Sequence, residues 1–284
     1  MVKRTLFLLF SAATGSLVAH AQDVKLDISE AGFSRELVET LVSEYNSSSE
    51  GRHIVLTNGD GDGRIVLREQ GEGSIGRFVV LPIANAGNPF VASGKARKGL
   101  NQKLERQIFI ERDELADLGS DYAPKELNAG TVFSLAGRKA LTSQLEARNL
   151  NAPQVSIKGK KIFGSDVSAI NAVKKNTDGI GFNIPSLIYN KESRRPESGL
   201  AILNVDLDGD GKVTDEERAA ILDIDSLVAF LEDSRSIGRP IGNVTIDTND
   251  DVLSNFVDWV AASGQGHVNR CGFLRAAPRL TANK

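Results

Sequence analysis

Short apolar runs alternate with amphipathic segments along the chain, and this alternation restricts the fold more than any other feature. Strand patterns include residues 24–28, 53–57 and 179–183, and helix patterns include residues 33–45 and 168–175. A chain that alternates in this way builds layers of helices on sheets that are mostly parallel. The sequence therefore predicts an α/β fold.

An apolar run and a polar run stand out from this pattern. Residues 78–84 are continuously apolar or small, which predicts one buried strand followed by a turn at residues 85–89. Residues 190–198 are polar, a composition typical of a connection between domains. A chain of 284 residues is long enough for two medium domains. We expect the chain to pass between domains in this polar segment.

The first 21 residues have the pattern of an export signal. Lys3 and Arg4 precede the apolar run 6–10, and Ala19-His20-Ala21 matches a signal-peptidase cleavage site. We expect residues 1–21 to be a signal peptide and the mature protein to be periplasmic or secreted. Without the signal, 32 basic and 37 acidic residues remain, a formal net charge of −5. This charge disfavours nucleic acid as a partner.

Cys271 is the only cysteine of the sequence, so no intramolecular disulfide is possible. It also lies too far from the predicted cleavage site to carry a lipid anchor. No stretch is long and apolar enough to span a membrane, so we expect no membrane anchor. An exported chain without disulfides depends on its core and on bound metal for stability.

Residues 206–217 match the EF-hand calcium loop at every position. Aspartates occupy positions 1, 3 and 5, glycine makes the turn at position 6, and glutamate closes the loop at position 12. Because Ca²⁺ prefers six to eight hard oxygen ligands, this pattern predicts a calcium site. The expected ligands are Asp206, Asp208, Asp210, the main-chain carbonyl of Lys212, and Glu217, with Thr214 holding a water molecule.

A second loop, residues 58–69, has a weaker form of the same pattern. Asn58 replaces the first aspartate, and Asp60, Asp62 and Glu69 follow at the matching positions. Its flanks resemble strands, and glycine-aspartate turns also join strands without metal. The two loops begin 148 residues apart, which is unlike a dockerin-like module or a paired calcium sensor. We therefore expect any bound calcium to be structural.

Three serines precede predicted helices: Ser34, Ser134 and Ser165. Arg138 and Asp166 follow two of them closely. The first N–H groups of a helix lack intrahelical partners, and with serine hydroxyls and an arginine they can bind an anion. Each serine alone could equally be an ordinary N-cap. Three such helix starts together favour an anion site.

Enzyme motifs give no positive indication. Only His53 and His267 remain beyond the predicted signal, and neither a Gly-x-Ser-x-Gly nor a His-Glu-x-x-His pattern occurs. We expect a protein that is not an enzyme, although a hydrolase that uses two carboxylates would leave no recognisable pattern.

Several short motifs occur in a fixed order along the chain. They are Ala31–Ser34, Leu81–Pro89, Lys98–Leu100, Gly164–Asp166, Asn171–Val173, Asp178–Asn183, and Ser263–Gly266 after the apolar run 256–260. The motif Asn-Ala-Val followed by Asp-Gly-Ile-Gly-Phe is similar to a helix and an Ala-Ile-Gly-Tyr strand of one family. In this order and spacing, the chain resembles the periplasmic phosphate-binding proteins of ABC transporters.

The resemblance implies a type II periplasmic-binding-protein fold, in which two α/β lobes enclose a ligand cleft. It implies a first lobe of residues 22–85 and 199–284, which would contain the calcium loop, and a second lobe of residues 86–198. It also implies ligand contacts from Gly32, Phe33 and Ser34 and from Ser134, Arg138 and Thr142. Ser165 and Asp166 complete the predicted set.

We therefore expect a solute-binding protein that captures inorganic phosphate or a related oxyanion and delivers it to the membrane component of an ABC transporter. Structural Ca²⁺ would be bound by residues 206–217. The alternative is a calcium-dependent extracellular interaction module on the same fold, without transport of a small ligand.

Overall fold

The described part of the chain forms two α/β lobes, each built around one five-stranded sheet. This confirms the predicted fold class. The predicted signal peptide and Arg138 lie outside the described residues. Among the described helices, none has both the length and the apolar character that a membrane span requires. The computed structural model describes residues 23–49, 51–111, 127–137, 140–233 and 237–276.

The first lobe combines parallel and antiparallel strands. Its strands are β1 (Val24–Asp27), β2 (Ile54–Thr57), β3 (Gly63–Arg68), β4 (Ser74–Phe78) and β10 (Gly242–Thr248). They lie in the order β2-β1-β3-β10-β4, with β1 parallel to β2 and β3, and β10 antiparallel to β3 and β4. The helices of this lobe are α1 (Arg35–Ser48), α9 (Asp251–Trp259) and α10 (Gln265–Arg270), with a π-helical turn at Val260–Gly264.

The second lobe has the same mixed arrangement. Its strands are β5 (Leu81–Asn85), β6 (Thr131–Leu135), β7 (Lys160–Ile162), β8 (Gly179–Asn183) and β9 (Leu200–Ile202), in the order β7-β6-β8-β5-β9. Its helices are α2 (Gly94–Lys98), α3 (Gln102–Phe109), α4 (Leu141–Asn149), α5 (Asp166–Lys175) and α6 (Pro185–Ile188). After β9, α7 (Asp215–Ala220) and α8 (Ile224–Asp233) precede the return to the first lobe.

The chain passes between the two sheets at positions that differ from the prediction. The apolar run 78–84, predicted as one strand, is divided: β4 ends at Phe78 in the first sheet, and β5 begins at Leu81 in the second. The described part of the return is residues 237–241. The polar segment 190–198 instead connects α6 to β9 within the second lobe. An apolar run indicates burial, but it does not indicate which sheet a strand joins.

Strand pairing also changes which lobe contains two predicted segments. The predicted boundaries place residues 81–85 and 200–202 in the first lobe. In the structure, β5 pairs with β8 and with β9, so both segments belong to the second sheet. The sequence does not reveal this boundary because the crossing between β4 and β5 is only two residues long. Val79 and Val80 are as deeply buried as the strands beside them, so the apolar pattern is not interrupted.

Arg239, Glu105 and Glu146 form a buried charged group, the crossing cluster, where the chain returns to the first lobe. Arg239 Nη1 and Nη2 donate to Glu105 Oε1 at 3.0 Å and Oε2 at 3.1 Å, and Nη2 also donates to Glu146 Oε2 at 2.9 Å. Arg239 Nε donates to the main-chain oxygen of Val80 at 2.6 Å. Each of the three charged residues is at most 3% exposed. Because buried charges must be paired, these bonds fix the guanidinium.

The crossing cluster contains two carboxylates and one cation. Burial raises the pKa of Glu146 to about 8; the charge of Arg239 opposes this rise and that of Glu105 adds to it. Glu146 Oε1 has no hydrogen-bond partner in the described part of the chain, which further disfavours the ionised form. The raised pKa favours the protonated form of Glu146 near neutral pH, which brings the cluster close to electrical neutrality.

Replacement of Glu146 by glutamine should remove part of the pH dependence of stability. The ordinary pKa of glutamate is near 4.5 and that of folded Glu146 is about 8. Between these values the folded state binds one more proton than the unfolded state, so the free energy of unfolding falls as pH rises. The slope is about 1.4 kcal/mol per pH unit for one proton. Urea unfolding from pH 5 to 9 should show this extra slope in the wild type and not in Glu146→Gln.

Glu216 is an exposed glutamate of α7 and provides the control. Glu216→Gln removes a carboxylate but should keep the wild-type slope between pH 5 and 8. Equal slopes in the wild type and in Glu146→Gln would contradict a raised pKa at Glu146.

Candidate functional site

A cleft of about 370 Å³ lies between the two lobes, and both lobes supply its walls. The walls contain four of the predicted ligand residues, two from each lobe. The first lobe contributes Gly32, Phe33, Arg35, Glu36 and Glu39, and the second contributes Ser165, Asp166, Val167 and Leu187.

The wall of the first lobe is the short turn before α1. Gly32 has a φ of +51°, a conformation that favours glycine, and this turn leads into α1 beside the cleft. The ring of Phe33 packs edge-to-face on Phe78, with ring centroids 4.9 Å apart. Ser34 is fully buried, and its hydroxyl donates to the main-chain oxygen of Ala31 at 2.7 Å. That hydroxyl is therefore already engaged within the turn.

The wall of the second lobe is the start of α5. Ser165 is the N-cap residue, with extended backbone, and its main-chain N–H donates to Ser168 Oγ. Thr142 Oγ1 donates to Asp166 Oδ1 at 2.8 Å, and Asn183 Nδ2 donates to the main-chain oxygen of Asp166 at 3.1 Å. Burial raises the pKa of Asp166, and the hydrogen bond from Thr142 opposes that rise. Asp166 is thus oriented by residues behind the cleft wall.

Two further predicted residues, Ser134 and Thr142, do not line the cleft. Ser134 is buried in β6, and its hydroxyl accepts a hydrogen bond from Lys161 Nζ at 3.3 Å. Thr142 is buried and contacts the cleft through Asp166. Arg138 lies outside the described residues. The structure therefore brings Gly32, Phe33, Ser165 and Asp166 together.

Charged residues that the sequence did not single out also line the cleft. Arg35 Nη2 donates to Asn58 Oδ1 at 2.9 Å, and Glu39 lies 3.8 Å from Arg35 Nη1. Glu36 forms an ion pair with Lys191, which belongs to the second lobe. The cleft therefore carries several carboxylates whose charge is only partly balanced. Their place in the sequence could have indicated them, because all three lie in the first five residues of α1, directly after the predicted turn.

Part of the predicted calcium loop has the geometry of a metal site. Oxygen atoms of Asp206, Asp208 and Asp210 lie within 4.8 Å of one another. Asp206 accepts hydrogen bonds from the main-chain N–H groups of Gly209 and Gly211, each at 2.7 Å. Burial raises the pKa of Asp206, and the charges of Glu217 and Asp208 add to the rise. These three carboxylates fit a hard cation such as Ca²⁺.

Glu217, the predicted ligand at position 12, has other partners. Its Oε1 accepts from the N–H of Leu207 at 2.6 Å, and its Oε2 accepts from the N–H of Thr214 at 2.7 Å. Thr214 is the N-cap residue of α7, and the two side chains form a capping box. The main-chain N–H of Lys212 donates to Asp210 Oδ1 at 2.8 Å.

In the second predicted loop, three of the four candidate ligands bind separate partners elsewhere in the protein and not a common point. Asn58 accepts from Arg35, Asp62 Oδ2 accepts from the N–H of Lys25 at 2.8 Å, and Glu69 pairs with Arg148 of the second lobe. Within the described residues, the aspartates of loop 206–217 are the one carboxylate group with metal-site geometry. Loop 58–69, including Asp60, therefore stays a prediction without such support.

No protein-family model and no curated protein matches the chain. Solved structures match in fold. A phosphate ABC transporter substrate-binding protein from Clostridium perfringens, solved with bound phosphate, is 12% identical, has a TM-score of 0.54, and covers 90% of this chain and 100% of its own. A phosphate transport receptor from Vibrio cholerae is 12% identical and covers 90% and 100%, with a TM-score of 0.49. The OxyR regulatory domain from Pseudomonas aeruginosa is 10% identical and covers 90% and 99%, also with 0.49.

The first of these likenesses shows the fold, which is the two-lobed periplasmic-binding-protein fold that the sequence predicts. At 12% identity it extends no further than the fold. The TM-scores of the other two structures are below 0.5, so neither adds to this assignment.

Loss of the Thr142 hydroxyl should raise the pKa of Asp166 further. Thr142→Val keeps the shape of the side chain and removes the hydrogen bond to Asp166 Oδ1. A hydrogen bond to the charged carboxylate stabilises its ionised form, so we expect its loss to raise the pKa of Asp166 above that of the wild type. The ¹³C shift of the Asp166 carboxyl, followed against pH, measures it.

Thr131→Val is the matched control. It removes a hydrogen bond of the same length, 2.8 Å, from Thr131 to Asp178 at a different site. Asp166 should titrate in this variant as it does in the wild type. An unaltered Asp166 titration in Thr142→Val would show that the hydroxyl does not orient the carboxylate.

Proposed function

We propose that this protein is a solute-binding protein that captures phosphate or a related oxyanion between its lobes. The observation that carries the proposal is that α1 and α5, from opposite lobes, begin at one cleft. The protein from Clostridium perfringens with the same fold holds phosphate. Delivery to the membrane component of an ABC transporter, export by the predicted signal peptide, and the lack of enzyme activity complete the proposed role.

Main-chain N–H groups supply the chemistry of this site. The first N–H groups of a helix have no intrahelical acceptor, and the aligned peptide dipoles give that end a partial positive charge. An oxyanion bound between Phe33 and Val167 would accept hydrogen bonds from both helix starts, with the Ser165 hydroxyl beside them. Asp166 and Glu36 disfavour a ligand with more than one negative charge. They therefore favour an oxyanion that is partly protonated or that has a neutral substituent.

We also propose that residues 206–217 bind structural Ca²⁺. Asp206, Asp208 and Asp210 would supply carboxylate oxygens, because these are the ligands that already lie together. A bound cation would neutralise the repulsion among them and so stabilise the folded chain.

Phosphate at millimolar concentration should raise the unfolding temperature of the chelator-treated protein, because a ligand that binds only the folded state stabilises it.

Asp166→Pro removes one first-turn N–H but suits the start of α5, since Ser165 is already extended. Asp166→Ala removes the carboxylate and keeps that N–H. Relative to Asp166→Ala, Asp166→Pro should bind phosphate about 10-fold more weakly by calorimetry, as expected for one lost charge-assisted hydrogen bond. No stabilisation of the wild type by phosphate would contradict the proposal.

Calcium should raise the unfolding temperature by several degrees relative to the chelator-treated protein, and Asp208→Asn with Asp210→Asn should abolish this rise. Asp60→Asn with Asp62→Asn alters the second loop in the same way and serves as the control, which should keep the rise. An unfolding temperature that calcium leaves unchanged would exclude a structural site. Stabilisation by calcium and not by phosphate would favour the alternative interaction module.

A further inference from the structure

The crossing cluster joins both crossings to the second lobe through one side chain. Arg239 lies in the return crossing, and its Nε donates to the oxygen of Val80 in the first crossing. The other end of the guanidinium donates to Glu105 on α3 and to Glu146 on α4, both helices of the second lobe. Three hydrogen bonds therefore hold Arg239 against this lobe, and a fourth joins Val80 to Arg239, all of them out of contact with water.

On the opposite side, strand pairing holds the two crossings to the first lobe. Phe78, the last residue of β4, pairs with Gly242, the first residue of β10. A side chain at Gly242 would meet the Phe78 ring, since a Cβ there would lie 2.3 Å from its Cζ. Little chain lies between the Val80–Arg239 contact and the Phe78–Gly242 pair. It consists of Val79 in the first crossing and residues 240–241 in the second.

Helix α4 connects the crossing cluster to the cleft. Glu146 contacts Arg239, and Thr142, one turn earlier, donates to Asp166 in the cleft wall. Arg148, half a turn later, pairs with Glu69 of the first lobe. Helix α4 therefore links the crossings, the second wall of the cleft and the first lobe.

We propose that Arg239 is a positioning residue that makes both crossings part of the second lobe and confines rotation between the lobes to Val79 and residues 240–241. The consequence is a cleft whose width is set before a ligand binds. Proline at position 240 restricts the motion further, because its ring fixes φ. This role needs no assumption about which ligand the cleft holds.

The distance between the lobes in the ligand-free protein tests this role directly. Cys271→Ser removes the native cysteine, and Val55→Cys with Val155→Cys provides one exposed spin-label site on each lobe. Pulsed electron paramagnetic resonance should give one narrow distance distribution in this background. Arg239→Met should at least double its width, whereas Arg218→Met, which removes an exposed ion pair with Asp215, should leave it unchanged.

Arg239→Met alone leaves the buried Glu105 carboxylate and its neighbour Glu146 without their cation and could fail to fold. A triple variant, Arg239→Met with Glu105→Leu and Glu146→Leu, replaces the whole cluster by apolar side chains, which often preserves stability. Its unfolding temperature should stay near that of the wild type, and its distance distribution should be as broad as that of Arg239→Met. A folded triple variant with the narrow wild-type distribution would overturn the proposal, because the cluster would then serve stability alone.

Discussion

The two lobes depend on the contact between the Arg239 guanidinium and its three acceptors. One cation, two carboxylates and the carbonyl of Val80 meet at the place where the chain crosses between sheets. The geometry satisfies the guanidinium, and a proton on Glu146 keeps the buried charge close to neutral. Buried ion pairs seldom add net stability, so their directional bonds are better understood as fixing one arrangement of the lobes.

The cleft combines helix starts that attract anions with carboxylates that repel them. Gly32 and Phe33 precede α1, Ser165 precedes α5, and all three residues line the cleft, so each lobe contributes one helix start to it. Glu36 and Asp166 stand beside the same helix starts. Under the proposed function, the site would select by hydrogen-bond geometry and by the protonation state of the ligand, because it has little excess positive charge to offer.

Periodicity predicted the α/β layers and helix-start patterns predicted the turns at Gly32 and Ser165, since both are local properties. The two-lobed arrangement was implied by the resemblance to phosphate-binding proteins. The sequence did not predict the division of the apolar run at Val79 and Val80, because burial is equal in both sheets. The crossing cluster was also missed. Its members are 41 residues apart or more in sequence, and only the fold brings Glu105, Glu146 and Arg239 together. The aspartates of loop 206–217 lie together, whereas Glu217 caps a helix, which spacing alone does not reveal.

Site-resolved nuclear magnetic resonance during a titration with inorganic phosphate tests the central claim, that one anion binds between two helix starts. The main-chain amide signals of Gly32 and Phe33 in the first lobe should shift with the same dissociation constant as those of Ser165 and Asp166 in the second. Shifts confined to one lobe, or no shifts in the cleft at saturating phosphate, would contradict the account.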